Sequence, residues 1–398
     1  MGRSISEPAR RLEIKDEYDV IVAGGGVAGI AAALSAKRAG AERVLLIERE
    51  FMPGGLATLG LITLYLPLCD GMGHQMSFGI AEELIKLSVS RGCDVPIPEA
   101  WQRDASVEER GKKRYRCRFN ANVFAVLCEQ LLISEGVELL YGSTVCGVNV
   151  ENGRINAVIC ENKDGRTAYG AKGVVDATGD SDVCVLAGED TVLFERGNVL
   201  SGWYHFIDGG EDTLVKLGPA DIPDSEKTEK QLELEMERPR YCGTDAAELT
   251  KMAIDSHKLS LDDFLENGEH SVKRSLTALA AIPQVRMTRR VDGVKTVDIA
   301  DDHVRQDDSI GMIGSWRRSG PAYELPFAAL YGRRIENLCC AGRNVSATDA
   351  AWDLTRVIPA CAVTGEAAGI AAVLGRDAKK VQAELIKRRI KLHIEDCI

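Results

Sequence analysis

The first fifty residues alternate between apolar runs and one slim, helix-forming stretch. Tyr18 to Ala23 is apolar without alternation, as expected of a strand buried on both faces of a parallel sheet. Three glycines follow at G-x-G-x-x-G spacing, Gly24, Gly26 and Gly29, and the residues from Ile30 to Ala36 are small helix formers. "ERVLLIERE" then predicts a second buried strand ending at Glu48. From Gly136 to Asp182 the period changes. Asn152-Gly153 and Asp164-Gly165 are hairpin signals between alternating or β-rich runs, so an antiparallel meander is predicted, feeding a last strand from Gly173 to Asp176. Near the C-terminus a short strand, Leu338 to Ala341, runs into Gly342-Arg343, and a helix is predicted from near Pro359 to just before Gly375.

The glycine spacing has a chemical meaning in this setting. The first glycine permits a tight turn out of the strand, the second lets backbone approach a pyrophosphate, and the third lets the helix pack close to the sheet. The amides at the helix start would face phosphates. Glu48, about twenty residues on, stands where an acid takes a ribose 2′-hydroxyl. A carboxylate there repels a 2′-phosphate, so an NAD or FAD adenosine is favoured over NADP.

Composition sets outer bounds. The chain has 398 residues, 45% hydrophobic and 27% charged, which gives room for two or three substructures. A net charge of −11 argues against a general nucleic-acid surface. No apolar run reaches bilayer length and the first residues lack the apolar core of a secretory signal, so no membrane association and a cytoplasmic location are expected. The twelve cysteines include no C-x-x-C pair and the six histidines are scattered, so the expectation is reduced, mostly buried thiols and no metal site.

A meander inserted in the nucleotide domain and followed by "VVDATGDSDV" resembles the FAD domain of glutathione-reductase-type flavoproteins. With "GGGVAGIAAA", "IEREFMPGGLAT" and "CAGRNVSAT…RVIPACAVTGEAAG", the likeness extends over almost the whole chain to the broad family of bacterial and archaeal FAD-dependent oxidoreductases. The fold so implied is α/β: a Rossmann-type FAD-binding domain of parallel sheet plus β-meander, interrupted by a mixed α+β substrate domain. The expected boundaries are 16–65, 119–185 and 326–376 for the FAD domain, 66–118 for an insertion that is either a lid or a surface excursion, 186–325 for the substrate domain, and 377–398 for a C-terminal helix packed through Val381, Leu385 and Ile390. By the resemblance Gly24, Gly26, Gly29, Glu48 and Arg49 hold the ADP half and Val145 contacts the adenine. Gly54, Gly55 and Leu56 pass close to the flavin, while Ala177, Thr178, Gly179, Asp180, Gly342, Arg343, Pro359 and Ala360 line the rest. Asp349 stands where members of the class often carry histidine, which puts an acid/base role at that position in doubt.

Inside the substrate region "NVLSGWYHFI" and "RRVDGVKTVDIA" read as strands, with an acidic helical stretch, Ser225 to Glu237, between them. His205, among Trp203, Tyr204 and Phe206, is the best-placed histidine for proton transfer; a core histidine is the competing reading. Arginines are frequent: Arg286, Arg289, Arg290, Arg317, Arg318, Arg343 and Arg356. Planar guanidinium groups suit carboxylates, so an anionic substrate is attractive. Arg356 is taken as a candidate for gripping substrate or reduced flavin, against the alternative that it pairs with Asp353 or another carboxylate at the surface.

The preferred function is hydride transfer between a small, anionic organic substrate and flavin N5, with the electron partner unknown. The alternatives are structural FAD with hydratase or isomerase chemistry, and a flavoprotein subunit of an electron-transfer complex. The chain lacks a second nucleotide fingerprint and a C-x-x-x-x-C redox pair, which argues against a disulfide reductase. A homo-oligomer is compatible with the sequence.

Overall fold

The computed structural model describes residue 5 and residues 9–218 and 228–398. Strand β1 (Ile14–Ala23) leads through the glycine turn into helix α1 (Val27–Arg38) and then strand β2 (Val44–Ile47). The chain next forms α2 (Ile80–Val89) and α3 (Ala121–Ser134), followed by β3 (Glu138–Leu140), β4 (Thr144–Glu151), β5 (Arg154–Asn162) and β6 (Gly165–Asp176), and a short helix α4 (Asp182–Ala187). The inserted part holds β7 (Gly202–Asp208), β8 (Glu211–Leu217), α5 (Ala246–Glu266) and β9 (Arg274–Leu279). The chain returns through β10 (Ser309–Gly314), β11 (Ala322–Pro326) and β12 (Leu338–Cys340) to α6 (Asp349–Thr355), α7 (Ile358–Leu374) and α8 (Ala378–Lys387).

The main sheet has the order β3-β2-β1-β6-β5-β4, with β12 also beside β6. Strands β3, β2, β1, β6 and β12 pair in parallel, and β4, β5 and β6 form the antiparallel meander. The expected last strand, Gly173 to Asp176, is therefore not a separate element. It is the second half of β6, whose first half closes the meander against β5 and whose end lies between β1 and β12. Nothing in "GRTAYGAKGVVD" forces a turn, so one strand serves both.

Small residues set the depth of packing on one face of this sheet. A Cβ at Gly365 or Gly369 of α7 would overlap the backbone of Ala28 or Ala32 of α1, and one at Gly173 would overlap the Ala372 carbonyl. Helices α1 and α7 thus lie against each other and the sheet at backbone distance, the use that sequences such as "AGIAAALSA" and "TGEAAGIAA" have. The largest core cluster fills this face, and a second one, from Tyr18 and Ile21 to Ile155 and Val174, fills the other.

Two of the expected divisions do not follow the core. Tyr65, Leu68, Ile80, Leu84, Ile85, Tyr115 and Cys117 are buried in the main core, and α2 packs on α7, so 66–118 is a layer of the body and not a detached lid. Residues 309–326 also belong to that body, because Ile310, Ile313 and Leu325 join the same cluster. What stands apart is the three-stranded sheet β8-β7-β9 with α5. "RRVDGVKTVDIA" supplies a strand only at Arg289–Val291, since Asp292-Gly293 breaks it, and α6 was not foreseen. Of the acidic stretch, residues 225–227 lie outside the described residues, and Glu229–Glu237 is helical as expected. Val381 and Leu385 of α8 and the following Ile390 are buried, as expected of the C-terminal segment. Among the described residues no single helix is long and apolar enough to cross a membrane; α6 and α7 pass by length and composition only as a pair bent by 85°, and both are buried in the body.

Candidate functional site

A cavity of about 470 Å³ runs over the C-terminal ends of the parallel strands, where ligands of open α/β sheets bind. One end is lined by Gly24, Gly26, Glu48, Arg49 and Val145, the middle by Gly54, Gly55, Leu56, Ala177, Thr178, Gly179, Asp180 and Gly342, and the far end by Arg343, Arg356, Ile358 and Cys361. Five expected residues lie off it. Gly29 packs under the glycine turn, Pro359 and Ala360 are buried in the first turn of α7 behind Ile358, and His205 is in strand β7. The fifth is Asp349, which opens α6 with its side chain 47% exposed, 3.8 Å from Arg196.

The glycine turn is tied to the end of β2 by one side chain. Glu48 Oε2 accepts the Gly25 N–H at 2.6 Å and Oε1 accepts the Glu50 N–H at 2.9 Å. Burial pushes the Glu48 carboxyl up, and the two amides oppose that shift. The Gly54 loop is tied in as well: Gly54, at φ +105°, donates its N–H to Gly25 O at 2.7 Å and bridges Gly26. This left-handed position, which leads a single 3₁₀ turn (Gly55–Ala57), favours glycine.

The three fingerprint glycines separate by what a Cβ would meet. At Gly24 it would overlap the Ala177 carbonyl and at Gly29 the Gly24 carbonyl, whereas at Gly26 it would meet no atom within 4 Å. Of the three, Gly26 is the one with open space where a Cβ would sit, in front of the amides that start α1. That is the cradle a pyrophosphate needs, so the residues present fit the ADP half of an FAD.

The roof comes from the expected substrate region, from a stretch for which the sequence pattern predicts no strand or helix. Residues 281–288 cross the cavity, held by Ala281 N–H to Leu59 O at 2.7 Å, by Gln284 Nε2 to Gly60 O at 2.7 Å, and by Arg343 Nη1 to Val285 O at 3.0 Å. Thr288 Oγ1 donates to Asp180 Oδ1 at 2.7 Å, and Arg343 Nη2 donates to the same oxygen at 3.1 Å. Ala281, Ile282, Pro283 and Leu249 give this wall an apolar character. No periodicity in the sequence marks it.

At the far end, Arg356 pairs with Asp353, as the competing reading held, yet not at the surface. Both side chains are 12% exposed, and Arg356 still lines the cavity. Burial raises the Asp353 carboxyl, but Arg356 and Arg317 together hold it below the usual carboxylate range. Cys361, in the first turn of α7, donates to Arg356 O at 3.2 Å, and burial pushes its thiol up to about 12. Asp182 lines the other side and is pushed up to about 6 by burial and by Asp180 and Asp176, against Arg289 and Arg49.

His205 sits in the inserted sheet between Leu214 and Ala278, with Nδ1 2.8 Å from Asp212 Oδ2. Its aromatic neighbours belong to that sheet, not to the cavity. Among the described residues one group of metal-ligating type gathers in the core, Asp176, Cys184 and Cys340, with ligand atoms within 4.8 Å of one another. The sequence spacing hid it, because Asp176 ends β6, Cys340 ends β12 and Cys184 comes from helix α4. The Asp176 carboxylate already accepts from the Thr178 N–H and hydroxyl and the Cys184 N–H at 2.6–3.1 Å.

The family described as FAD dependent oxidoreductase matches residues 19–199 and 224–391. Relatives include the probable electron transfer flavoprotein-quinone oxidoreductase YgcN of Escherichia coli (strain K12), 29% identical over 190 residues that make 47% of this chain and 40% of that one. The tRNA uridine 5-carboxymethylaminomethyl modification enzyme MnmG of Lactococcus lactis is 26% identical over 222 residues, 53% of this chain and 30% of its own length. The chain thus matches less than half the length of these relatives. Among solved structures, a geranylgeranyl bacteriochlorophyll reductase-like protein from Thermoplasma acidophilum superposes over 94% of this chain and 84% of its own, with a TM-score of 0.47 and 17% identity. By the match over both halves of its nucleotide domain and the region between, the chain belongs to the FAD dependent oxidoreductase family.

Proposed function

We propose that this oxidoreductase holds FAD along the cavity and exchanges a hydride between it and a small organic anion held at Arg356. Glu48 and Arg49 would take the adenosine ribose, Val145 the adenine, and Gly24 and Gly26 with the start of α1 the pyrophosphate. Gly54, Gly55, Leu56, Ala177, Thr178, Gly179, Asp180, Gly342 and Arg343 would enclose the ribityl chain, with Gly29, Pro359 and Ala360 shaping the two helix starts from behind. Bound FAD supplies the two-electron chemistry. The chain's own share is placement. The N-terminal end of α7, at Ile358 and Cys361, adjoins the far end, and its helix dipole would favour negative charge there by up to about 2 kcal/mol. Arg356, fixed by Asp353, adds a planar donor for a carboxylate. The apolar roof at Ala281, Ile282 and Pro283 excludes water.

The observation that carries this reading is the pairing of ends: a seated carboxylate, Glu48, at one and the cations Arg343 and Arg356 at the other. Asp349 and His205 lie outside it, so neither is retained as the acid or base. A cytoplasmic setting and a separate electron partner complete the proposal. Anaerobic mixing with carboxylates, polyols, sugars and amino acids tests it by bleaching of the flavin. Bleaching by a carboxylate supports it, whereas bleaching by polyols or sugars alone removes the anion. A flavin that photoreduces but that no substrate bleaches points to hydratase or isomerase chemistry.

A second reading, a flavoprotein within an electron-transfer complex, draws on the resemblance to the Escherichia coli relative, whose name describes that role. Rapid reduction by a reduced electron-transfer flavoprotein, with none by small molecules, would favour it.

A further inference from the structure

Asn198 begins a two-residue strand, Asn198–Val199, that pairs antiparallel with Arg240–Tyr241. Its side chain is buried and does not line the cavity. It reaches the roof instead. The Arg286 and Met287 N–H groups donate to its Oδ1 at 2.8 and 3.0 Å. Its Nδ2 donates to the Met287 carbonyl at 2.6 Å and to the Tyr241 carbonyl at 3.3 Å. Two donors face the amide oxygen and two acceptors face the nitrogen, which fixes the orientation of the amide and uses its full bonding capacity.

The roof needs such a partner. No residue from 281 to 288 belongs to a strand or helix, so no sheet ladder satisfies its backbone. On its C-terminal side Arg289–Val291 pairs with Thr191–Leu193, and the Phe194 N–H extends that pairing to the Thr288 carbonyl at 2.7 Å. Asn198 then takes the place of a neighbouring strand for Met287 and Arg286. On either side of them stand Val285, whose carbonyl accepts from Arg343, and Thr288, whose hydroxyl donates to Asp180. Val285, Arg343 and Asp180 all line the cavity. Tyr241 leads into Gly243, where a Cβ would overlap the side chains of Thr288 and Val285, so this segment also packs against the roof at backbone distance.

We infer that Asn198 is a positioning residue for the flavin reaction: its amide holds the roof closed over the flavin and so keeps water off it. Asn198 acts through the backbone of Arg286 and Met287 and touches neither cofactor nor substrate. The inference rests on the proposed placement of FAD along the cavity.

The test uses the FAD-loaded protein and two readouts: hydrogen exchange of the 281–288 backbone, and quenching of the bound flavin's fluorescence by iodide. In Asn198→Ala the Arg286 and Met287 amides should exchange about tenfold faster, the factor that 1.4 kcal/mol of lost hydrogen bonding gives, and quenching should rise at least about twofold. FAD content should stay at the parental level. Asn198→Asp keeps the shape but sets a carboxylate oxygen against the Met287 and Tyr241 carbonyls. It should expose the flavin at about pH 9 and screen it again at about pH 5, where the protonated carboxyl donates once more. The parent should show no such recovery. Unchanged exchange in Asn198→Ala, or faster exchange with unchanged quenching, would leave Asn198 a merely structural role and overturn the inference. Should Asn198→Ala yield no folded protein, Asn198→Asp decides alone, and equal quenching at the two pH values overturns it. If iodide quenches the parent's flavin as freely as free FAD, the placement of FAD under the roof fails, and the inference with it.

Discussion

Glu48 Oε2 accepts the Gly25 N–H at 2.6 Å, so the acid that ends β2 also fixes the turn that follows β1. One side chain thereby couples the ribose end of the cavity to its phosphate cradle. Glu48→Arg should break both, and a buried charged hydrogen bond of this kind contributes about 1.5–3 kcal/mol. FAD affinity, measured by flavin fluorescence during reconstitution, is expected to fall at least tenfold; an unchanged affinity would remove Glu48 from the site.

Gly26 and Gly29 should respond differently to the same added methyl group. Gly29→Ala forces a Cβ into the Gly24 carbonyl and should destabilise the flavin-free protein by about 1–3 kcal/mol. Gly26→Ala has room, at an ordinary φ of −65°, and should leave the melting temperature of the flavin-free protein nearly unchanged while lowering FAD occupancy. Equal melting temperatures for the two variants, or full FAD occupancy in Gly26→Ala, would contradict the cradle.

Asp182 gives a pH signature. Its folded-state carboxyl is raised to about 6, above the ordinary aspartate range, so folding favours its protonated form. The resulting stability is present below about pH 4 and is lost as pH rises through about 6. Asp182→Asn removes that loss. Its melting temperature relative to the parent should be higher at pH 8 than at pH 4, and a difference that does not vary with pH would count against the raised carboxyl.

His205 provides a negative control. It sits in β7 beside Asp212 and off the cavity lining, so His205→Gln should keep FAD content and substrate-driven bleaching at parental levels, with a stability loss of about 1 kcal/mol or less. A hundredfold loss of bleaching rate with the fold intact would return His205 to the chemistry.

The nucleotide half was legible because its determinants are local. Gly24, Gly26 and Gly29 are fixed by spacing, Glu48 by its distance from them, and the α7 start was placed one residue late because Pro359 is the second helical residue. The continuity of β6 was missed because a strand shared by meander and parallel sheet has no internal mark. His205 misled because a β-strand rich in aromatics reads alike whether it faces a cofactor or a small separate sheet. The roof at 281–288 and the Arg317–Asp353 contact were not legible at all. Both depend on side chains from irregular segments far apart in sequence, 36 residues in the second case, where no periodicity reports who meets whom.

The central claim is that this FAD-loaded protein takes a hydride from, or gives one to, a small organic anion held at Arg356. The most direct measurement is anaerobic bleaching of the flavin by a panel of small carboxylates, compared between the parent and Arg356→Lys, with flavin content checked in both. The account predicts that at least one carboxylate bleaches the parent, and that the Lys variant retains FAD but needs about tenfold more of that carboxylate, because a point charge does not replace the planar fork. Bleaching that is equally effective in the two proteins, or that comes only from uncharged compounds, would contradict it.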